Sequence, residues 1–439
     1  MAKILFASMP FDGHFGPLTG LAVHLKGRGH DVRFYTGPTY GAKLDALGIP
    51  HFCFRRAVDV NHHNLVQHFP EYGTLGAGPK AIEFALTKVF FANLEAHLAD
   101  VTELRDGFPF DALICDAAFY AADLIAQKLQ PRVYAVHPAP TPASKSLRQP
   151  PPFLGLRPMR GPFGRVRDRV AWAMVESATR SGKALFNELC ARQGLKGMGP
   201  RDSVFDLPYR HARAMFQVGV PSMDYPRADL PACQKFVGPL LPFKKPRSAG
   251  FAQEERLRAA PTVLAVSQGT VDNRDPEKLF VPALEAFAGG PHLVVVTTGG
   301  RHTEALRARF PQDNVIIEDW IDFDRLFEHT DVFICNGGYG GILLALASGV
   351  PVLSAGKLEG KNDINARLDW RGLGVDLRTE RPTPKQLARG LDRVLKDTRL
   401  RQNVARAQAE LASYRPFQII ESTLAADGII ARADPADHL

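Results

Sequence analysis

Short apolar runs alternate with longer amphipathic stretches from the first residues of the chain onward. Residues 3–8 read as a strand, and Leu18, Leu21, Ala22 and Leu25 then recur at the spacing of a helix over 17–26. Residues 31–36, 49–54, 111–116 and 132–137 predict further strands, with helical stretches around 80–104 and 120–128 between them. The alternation restarts later, with strands predicted at 262–267, 292–298, 314–320, 331–336 and 350–354. Strands that take turns with helices build parallel sheets covered on both faces, so the pattern predicts an α/β fold of two doubly wound, Rossmann-like halves. Residues 236–250 mix Pro, Gly, Ser and charge, which is the chemistry of a connector. The expected organisation is a first domain over 1–238, a linker over 239–260, a second domain over 261–415, and a C-terminal helix over 416–439 returning to the first domain.

Size agrees with two cores, because 439 residues exceed the length at which one core usually keeps growing. A formal charge of +8 suits an anionic ligand or a membrane surface, and nucleic acid is not an expected partner. Cys53, Cys115, Cys190, Cys233 and Cys335 are scattered without zinc or redox spacing, which fits reduced thiols. The opening apolar run breaks at Pro10 and no later stretch is long and apolar enough to span a bilayer, so a cytoplasmic location is expected. One segment departs from the alternation: 138–162 is rich in Pro and Gly, and Arg157, Arg160, Arg165, Arg167 and Arg169 are interleaved with Phe163, Val166, Val170 and Trp172. Two readings stay open for it, a solvated basic helix with a long loop, or a lid that touches acceptor or membrane.

The candidate chemistry lies where predicted strands end. After the first strand comes Pro10-Phe-Asp-Gly-His-Phe-Gly-Pro17, which puts His14 between two glycines at the carboxyl end of a parallel strand, with Pro17 suited to open the next helix. Histidine there can take a proton from a hydroxyl. Asp116, closing the predicted strand 111–116, is placed to bond one imidazole nitrogen and fix the tautomer; its alternative role is to cap the following helix. Asp111 starts that strand and is the weaker candidate. In the second half, Asn336 leads into Gly337-Gly338-Tyr339-Gly340-Gly341 and then an apolar helix. Free N–H groups and the helix dipole at such a junction favour a phosphate. The turn lacks the Gly-Lys-Ser/Thr ending of a P-loop.

These two junctions resemble glycosyltransferase family 1 of the GT-B fold, the group of macrolide, plant secondary-metabolite and sterol glycosyltransferases, and the likeness spans nearly the whole chain. Gly13-His14-Phe15-Gly16-Pro17 is similar to the family's Gly-His-x-x-Pro turn, whose histidine deprotonates the acceptor, and Asp116 stands where the family places the aspartate that orients it. Phe236-Val-Gly-Pro239 resembles the segment before the linker, and Val266-Ser267-Gln268-Gly269-Thr270 the turn beneath the nucleotide. Asp319-Trp320-Ile-Asp322 resembles Trp-x-Pro-Gln, which implies that Trp320 stacks on the nucleotide base. The run from Asn336 to Pro351 is similar to the family's pyrophosphate motif, but Asn336 replaces a histidine, so donor binding leans on backbone N–H groups and on Ser267 or Thr270. Glu359-Gly-Lys361-Asn362 replaces the family's sugar-reading Asp-Gln.

The resemblance implies two Rossmann-like domains facing across a cleft, acceptor on the first and donor on the second. It further implies an inverting, metal-independent transfer from a UDP- or dTDP-linked sugar to a hydroxyl of a lipophilic small molecule, with no cofactor beyond the nucleotide sugar. Phe52, Phe54, Phe84, Phe90, Phe91 and Phe119 either line an apolar acceptor pocket or fill the core. The acidic pair Asp322 and Asp324 reads as a solvated loop rather than a metal site. Peripheral contact with a membrane, and a monomer or homodimer, complete the expectations. The alternatives are a nucleotide-sugar epimerase of the same fold, which would need carboxylates around the sugar, and a non-catalytic partner of a transferase, suggested by the missing histidine.

Overall fold

The computed structural model describes residues 1–431 apart from 77, 143–148, 228–229, 245–252 and 270–272. Two parallel sheets form the frame. The first contains β1 (Lys3–Ala7), β2 (Asp31–Thr36), β3 (His51–Cys53), β4 (Ala112–Asp116), β5 (Arg132–His137), β6 (Ala212–Val218) and β7 (Gln234–Gly238), in the order β3-β2-β1-β4-β5-β6-β7. The second contains β8 (Val263–Ser267), β9 (Leu293–Thr297), β10 (Val315–Glu318), β11 (Val332–Cys335), β12 (Val352–Ser354) and β13 (Gly374–Asp376), in the order β10-β9-β8-β11-β12-β13. Every named pair is parallel, β1 beside β4 in one sheet and β8 beside β11 in the other. Strand order reverses at those two places, and such switch points open a crevice beyond the carboxyl ends of the strands. The two doubly wound halves read from the sequence are present.

Sequence explains why these strands lie inside. β4, β8, β9, β11 and β12 are buried at every position, which requires the near-continuous apolar runs of a sheet covered on both faces. In the first sheet the two faces feed different layers. Ile4, Phe6, Ala112 and Ile114 join the apolar core that continues through the second sheet, while Leu5, Ala7, Leu113 and Cys115 pack on a separate layer with Phe91, Leu98 and Phe186.

The helices that matter for the site are α1 (Asp12–Gly27), α2 (Gly161–Arg192), α3 (Tyr339–Ala347), α4 (Lys361–Trp370) and α5 (Pro416–Ala426). α1 begins five residues earlier than the apolar spacing indicates, so Pro17 lies inside it rather than opening it. The missing N–H of Pro17 leaves only the carbonyl of Gly13 unserved, one turn from the helix start, where there is open space around Gly13. The stretch predicted as one helix around 80–104 is broken into Pro79–Phe84, a π-helical Ala85–Phe90 and Leu94–Gly107. β6, β7 and β13 were not predicted.

Polar contacts tie the two halves together. Arg367 donates to the buried Asp224 carboxylate at 2.7 Å, Arg371 to the Pro221 carbonyl at 2.8 Å, and the Tyr339 hydroxyl to the Val218 carbonyl at 3.0 Å. Arg157 pairs with Asp369 at 2.6 Å, and the Asp363 carboxylate accepts the Phe153 and Gly155 N–H groups at 2.5 and 2.8 Å. α5 lies on the first sheet's side: Glu421 meets His24 at 3.1 Å, Lys235 donates to Thr423 at 2.9 Å, and Tyr134 donates to Asp427, just beyond α5, at 2.7 Å.

Candidate active site at two switch points

The first switch point brings His14 and Asp116 together. β4 delivers Asp116 to the sheet's carboxyl edge, and α1 starts immediately after β1 with His14 in its first turn. Asp116 is 1% exposed, and it accepts His14 Nδ1 at 2.9 Å and the Ala118 N–H at 2.7 Å on one oxygen and the Met9 N–H at 2.7 Å on the other. A carboxylate only accepts, so Nδ1 carries the ring proton and the lone pair is left on Nε2. Nε2 has no partner among the described residues, and the side chain is 30% exposed. The helix-capping alternative for Asp116 does not hold, since the next helix, Ala121–Leu129, starts from Tyr120 without a side-chain cap. Asp111 accepts the Lys3 N–H at 2.9 Å at the far end of the strand.

Rings surround this dyad. Phe11 meets His14 edge-on at 6.1 Å between centroids, His62 edge-on at 4.8 Å, and Phe90 at 6.1 Å. His62 sits in a loop that sequence reasoning passed over, because an isolated polar run carries no periodic signal. Burial holds its imidazole below the usual range, against the opposing pull of Glu359 and Asp12, and its Nε2 is buried without a partner among the described residues. Its carbonyl accepts Arg274 of the second half at 3.1 Å. His137, at the end of β5, bonds the Ala139 carbonyl at 2.7 Å and is lowered to about 4 by burial. Of the six phenylalanines considered for an acceptor pocket, Phe54, Phe91 and Phe119 are core; Phe52, Phe84 and Phe90 are only partly buried.

The second switch point carries the glycine turn. Ser267 ends β8, and its hydroxyl accepts the Gly269 N–H at 3.2 Å; Thr270 lies outside the described residues. Asn336 follows β11, is buried, and donates from Nδ2 to the Gln268 carbonyl at 2.6 Å, stitching the two loops of the switch point together. Gly337 needs its glycine twice over: φ is +90°, and a Cβ would fall 2.4 Å from Asn365 Oδ1. Gly338 precedes α3, which begins at Tyr339, and the space around Gly340 is open, while Gly341 lies on the Phe333 ring. The first N–H groups of a helix have no intrahelical partners, and here they open beside a small-residue surface, as an anion requires.

Not every residue of that run faces the same way. Tyr339 is buried, and its hydroxyl is engaged with Val218, a contact that leaves no room for a side chain at Gly219. Tyr339 was expected in the donor site; its side chain joins the halves, while its N–H stays at the start of α3 beside the glycine turn. Asn362 was expected there too, but its Nδ2 donates to the Phe153 carbonyl at 2.8 Å and its Oδ1 accepts the Asp363 N–H. The cause is the 153–155 loop of the first half, which presents backbone groups to the start of α4. Glu359 has φ +57° and pairs with Lys361 at 3.1 Å; the Lys361 stem runs beside Gly356, whose position abuts the Asn336 carbonyl.

Trp320 is 61% exposed, so the role of a core filler is excluded. Its indole runs along Gly299 and Gly300, where added Cβ atoms would lie 3.8 and 3.6 Å from the ring. Asp322 caps the short helix Phe323–Phe327, and Lys244 bridges Asp324 at 2.8 Å and Asp322 at 3.7 Å. Among the described residues no group of three or more His, Cys, Asp or Glu is gathered as a metal would need, and no helix is long and apolar enough to cross a membrane.

Comparison with known proteins finds relatives over nearly the whole chain. The family described as "Erythromycin biosynthesis protein CIII-like, C-terminal domain" matches residues 283–425. Over 94% of this chain and 96% of the relative, the sequence is 32% identical to 4'-demethylrebeccamycin synthase of Lentzea aerocolonigenes. Among solved structures, the calicheamicin glycosyltransferase CalG4 superposes with a TM-score of 0.71 at 22% identity, covering 97% of this chain and 100% of that one. The spinosyn rhamnosyltransferase SpnG complexed with thymidine diphosphate superposes with a TM-score of 0.67 at 17% identity, covering 96% and 99%.

Proposed function

This chain belongs to glycosyltransferase family 1, and from that premise we propose that it moves a sugar from a UDP- or dTDP-linked donor to a hydroxyl of a lipophilic natural product by direct, inverting displacement. The observation that carries the reading is the His14–Asp116 pair, with Nδ1 held by a buried carboxylate at 2.9 Å and Nε2 left open to the crevice. Nε2 takes the acceptor proton as the oxygen attacks the anomeric carbon. Asp116 stabilises the imidazolium formed. On the other side, N–H groups at the start of α3 and its dipole hold the departing diphosphate, and Trp320 offers a flat exposed face to the base.

A chain of contacts runs from the base toward the second half. Phe11 leads from His14 to His62, whose carbonyl is held by Arg274 and whose charge balance feels Glu359, both of the second half. Epimerisation gains no support, because the one carboxylate in the sugar-reading segment, Glu359, is paired with Lys361. A purely auxiliary role leaves the His14–Asp116 geometry without a purpose. The test is release of nucleoside diphosphate from a panel of nucleotide sugars, with and without apolar acceptors and with chelator present. Acceptor-dependent release that survives chelation supports the reading; donor isomerisation, or release only with added metal, defeats it.

The reading extends to a membrane-facing surface. Phe163, Val166, Val170 and Met174 stand 85, 61, 57 and 47% exposed along one side of α2, flanked by exposed Arg160, Arg165, Arg169 and Arg180. An apolar stripe rimmed by arginines is complementary to anionic lipid. Flotation with phosphatidylglycerol vesicles should carry the protein in a salt-sensitive way, and R165E/R169E should abolish it; equal behaviour with neutral vesicles or a dimer broken by the same change overturns the lipid assignment.

A further inference from the structure

One exposed side chain of the second half grips main chain of the first, close to the base. Arg274 donates from Nη2 to the carbonyls of His62 and His63 at 3.1 and 3.2 Å. The loop it holds is closed on itself: the Asn61 N–H donates to Asn64 Oδ1 at 2.8 Å, the His63 N–H to Asn61 Oδ1 at 2.9 Å, and Asn64 Nδ2 to the Asp59 carbonyl at 2.6 Å. His62 lies edge-on to Phe11 at 4.8 Å, and Phe11 edge-on to His14 at 6.1 Å. The loop thus bears on the base through two ring contacts. A cationic donor on main-chain carbonyls fixes where that backbone lies, and here the backbone belongs to the half that carries His14.

The stem of Arg274 is anchored twice within the donor half. Gln268 Nε2 donates to the Asp275 carbonyl at 3.1 Å, and the Gln268 carbonyl accepts Asn336 Nδ2 at 2.6 Å, which fastens the 273–275 segment to the glycine turn. On its other side, His302 Nε2 donates to the Arg274 carbonyl at 3.1 Å, and the buried Asn273 fills the space that a side chain at Gly299 would need. Gly299 and Gly300 are the floor under the Trp320 ring. The segment is therefore tied both to the turn read as the diphosphate site and to the wall read as the base-stacking site. A nucleotide held between turn and wall fixes their spacing and stiffens the platform from which Arg274 reaches out.

We propose that Arg274 is a positioning residue that couples nucleotide occupancy to the loop beside the base: a filled donor site holds the clamp on His62 and His63 still, and an empty one lets the loop open more often. This role presupposes the donor site described above, and Arg274 itself touches neither nucleotide nor acceptor. Coupling of this kind is reciprocal. Because the loop is closed most of the time in either state, its effect on nucleotide affinity is slight, whereas the rare open form, which amide exchange reads, changes many-fold.

The test is amide hydrogen exchange of residues 58–66 with and without saturating UDP or dTDP, with calorimetry on the same samples. In the wild-type protein the better-bound diphosphate should slow exchange there about tenfold. Arg274→Ala should bind that diphosphate within about twofold of wild type yet show less than about twofold slowing, and Arg274→Lys, whose one nitrogen can serve both carbonyls as Nη2 does, should keep part of it. Binding without slowing in the wild type, or slowing that survives Arg274→Ala, overturns the proposal. So does a loss of diphosphate affinity of about tenfold in Arg274→Ala, which would place Arg274 in the donor site itself. Failure of both diphosphates to bind the wild-type protein removes the donor reading, and the coupling with it.

Discussion

Two switch points with the same topology present opposite hydrogen-bonding faces in this molecule. Both lie between the first and fourth strands of a parallel sheet, β1 beside β4 and β8 beside β11, and both put a short-chain polar residue at or just beyond the end of the fourth strand. In the first half that residue is Asp116, a carboxylate that collects N–H groups from Met9, Ala118 and His14. In the second it is Asn336, an amide that gives its N–H to a carbonyl and so closes the switch point instead of charging it. The crevice is a property of the fold; whether it moves a proton or cradles an anion depends on what stands at its lip. A carboxylate fixes a base, and an amide beside exposed helix N–H groups leaves the positive field to the backbone.

Removing the base should separate the two halves most sharply. His14→Ala is expected to lower kcat by about 10²–10⁴-fold with donor affinity unchanged by calorimetry, and a parallel loss of donor binding would place His14 outside the acceptor half's chemistry. Asp116→Asn should follow with about a hundredfold loss in kcat, accompanied by lower stability, because an amide has one accepting oxygen for N–H groups that now use two. Breaking the buried tie that holds the halves face to face is a stability test. Asp224→Ala strands Arg367, which is 7% exposed, and should cost about 3–5 kcal/mol in denaturant unfolding.

Smaller effects sharpen the donor side. Trp320→Ala should raise the donor KM about tenfold and leave the acceptor KM alone, as expected for a lost stacking face; unchanged donor kinetics would mean that the exposed indole serves another surface. Asn336→His should change donor affinity by less than about threefold, because Asn336 already gives its N–H to Gln268 and the anion relies on backbone donors. A large gain would show that the second switch point does accept a side-chain cation.

Much of the fold was legible because parallel strands advertise themselves. The strands built on short apolar runs, β1, β4, β5, β8, β9, β11 and β12, appear where expected, and so does β2 although Arg33 interrupts it. β13 has three residues, and β6 and β7 carry polar positions such as Arg213, Gln217 and Lys235, so neither length nor alternation marked them. The His14–Asp116 contact was readable because each member stands next to a strand end in its own local motif. His62 was not, since its meaning comes from Phe11 below and Arg274 across the cleft, partners distant in sequence. What the Tyr339 and Asn362 side chains do was hidden for the same reason: the 218–219 and 153–155 backbones, distant in sequence, engage them.

The sequence by itself determined the two sheets, the histidine with its carboxylate and the glycine turn, because period, strand ends and turn chemistry act over a few residues. Only the tertiary structure decided which side chains of the donor segments remain for ligand and which are taken by the facing half, because that allocation depends on how two separately encoded surfaces meet.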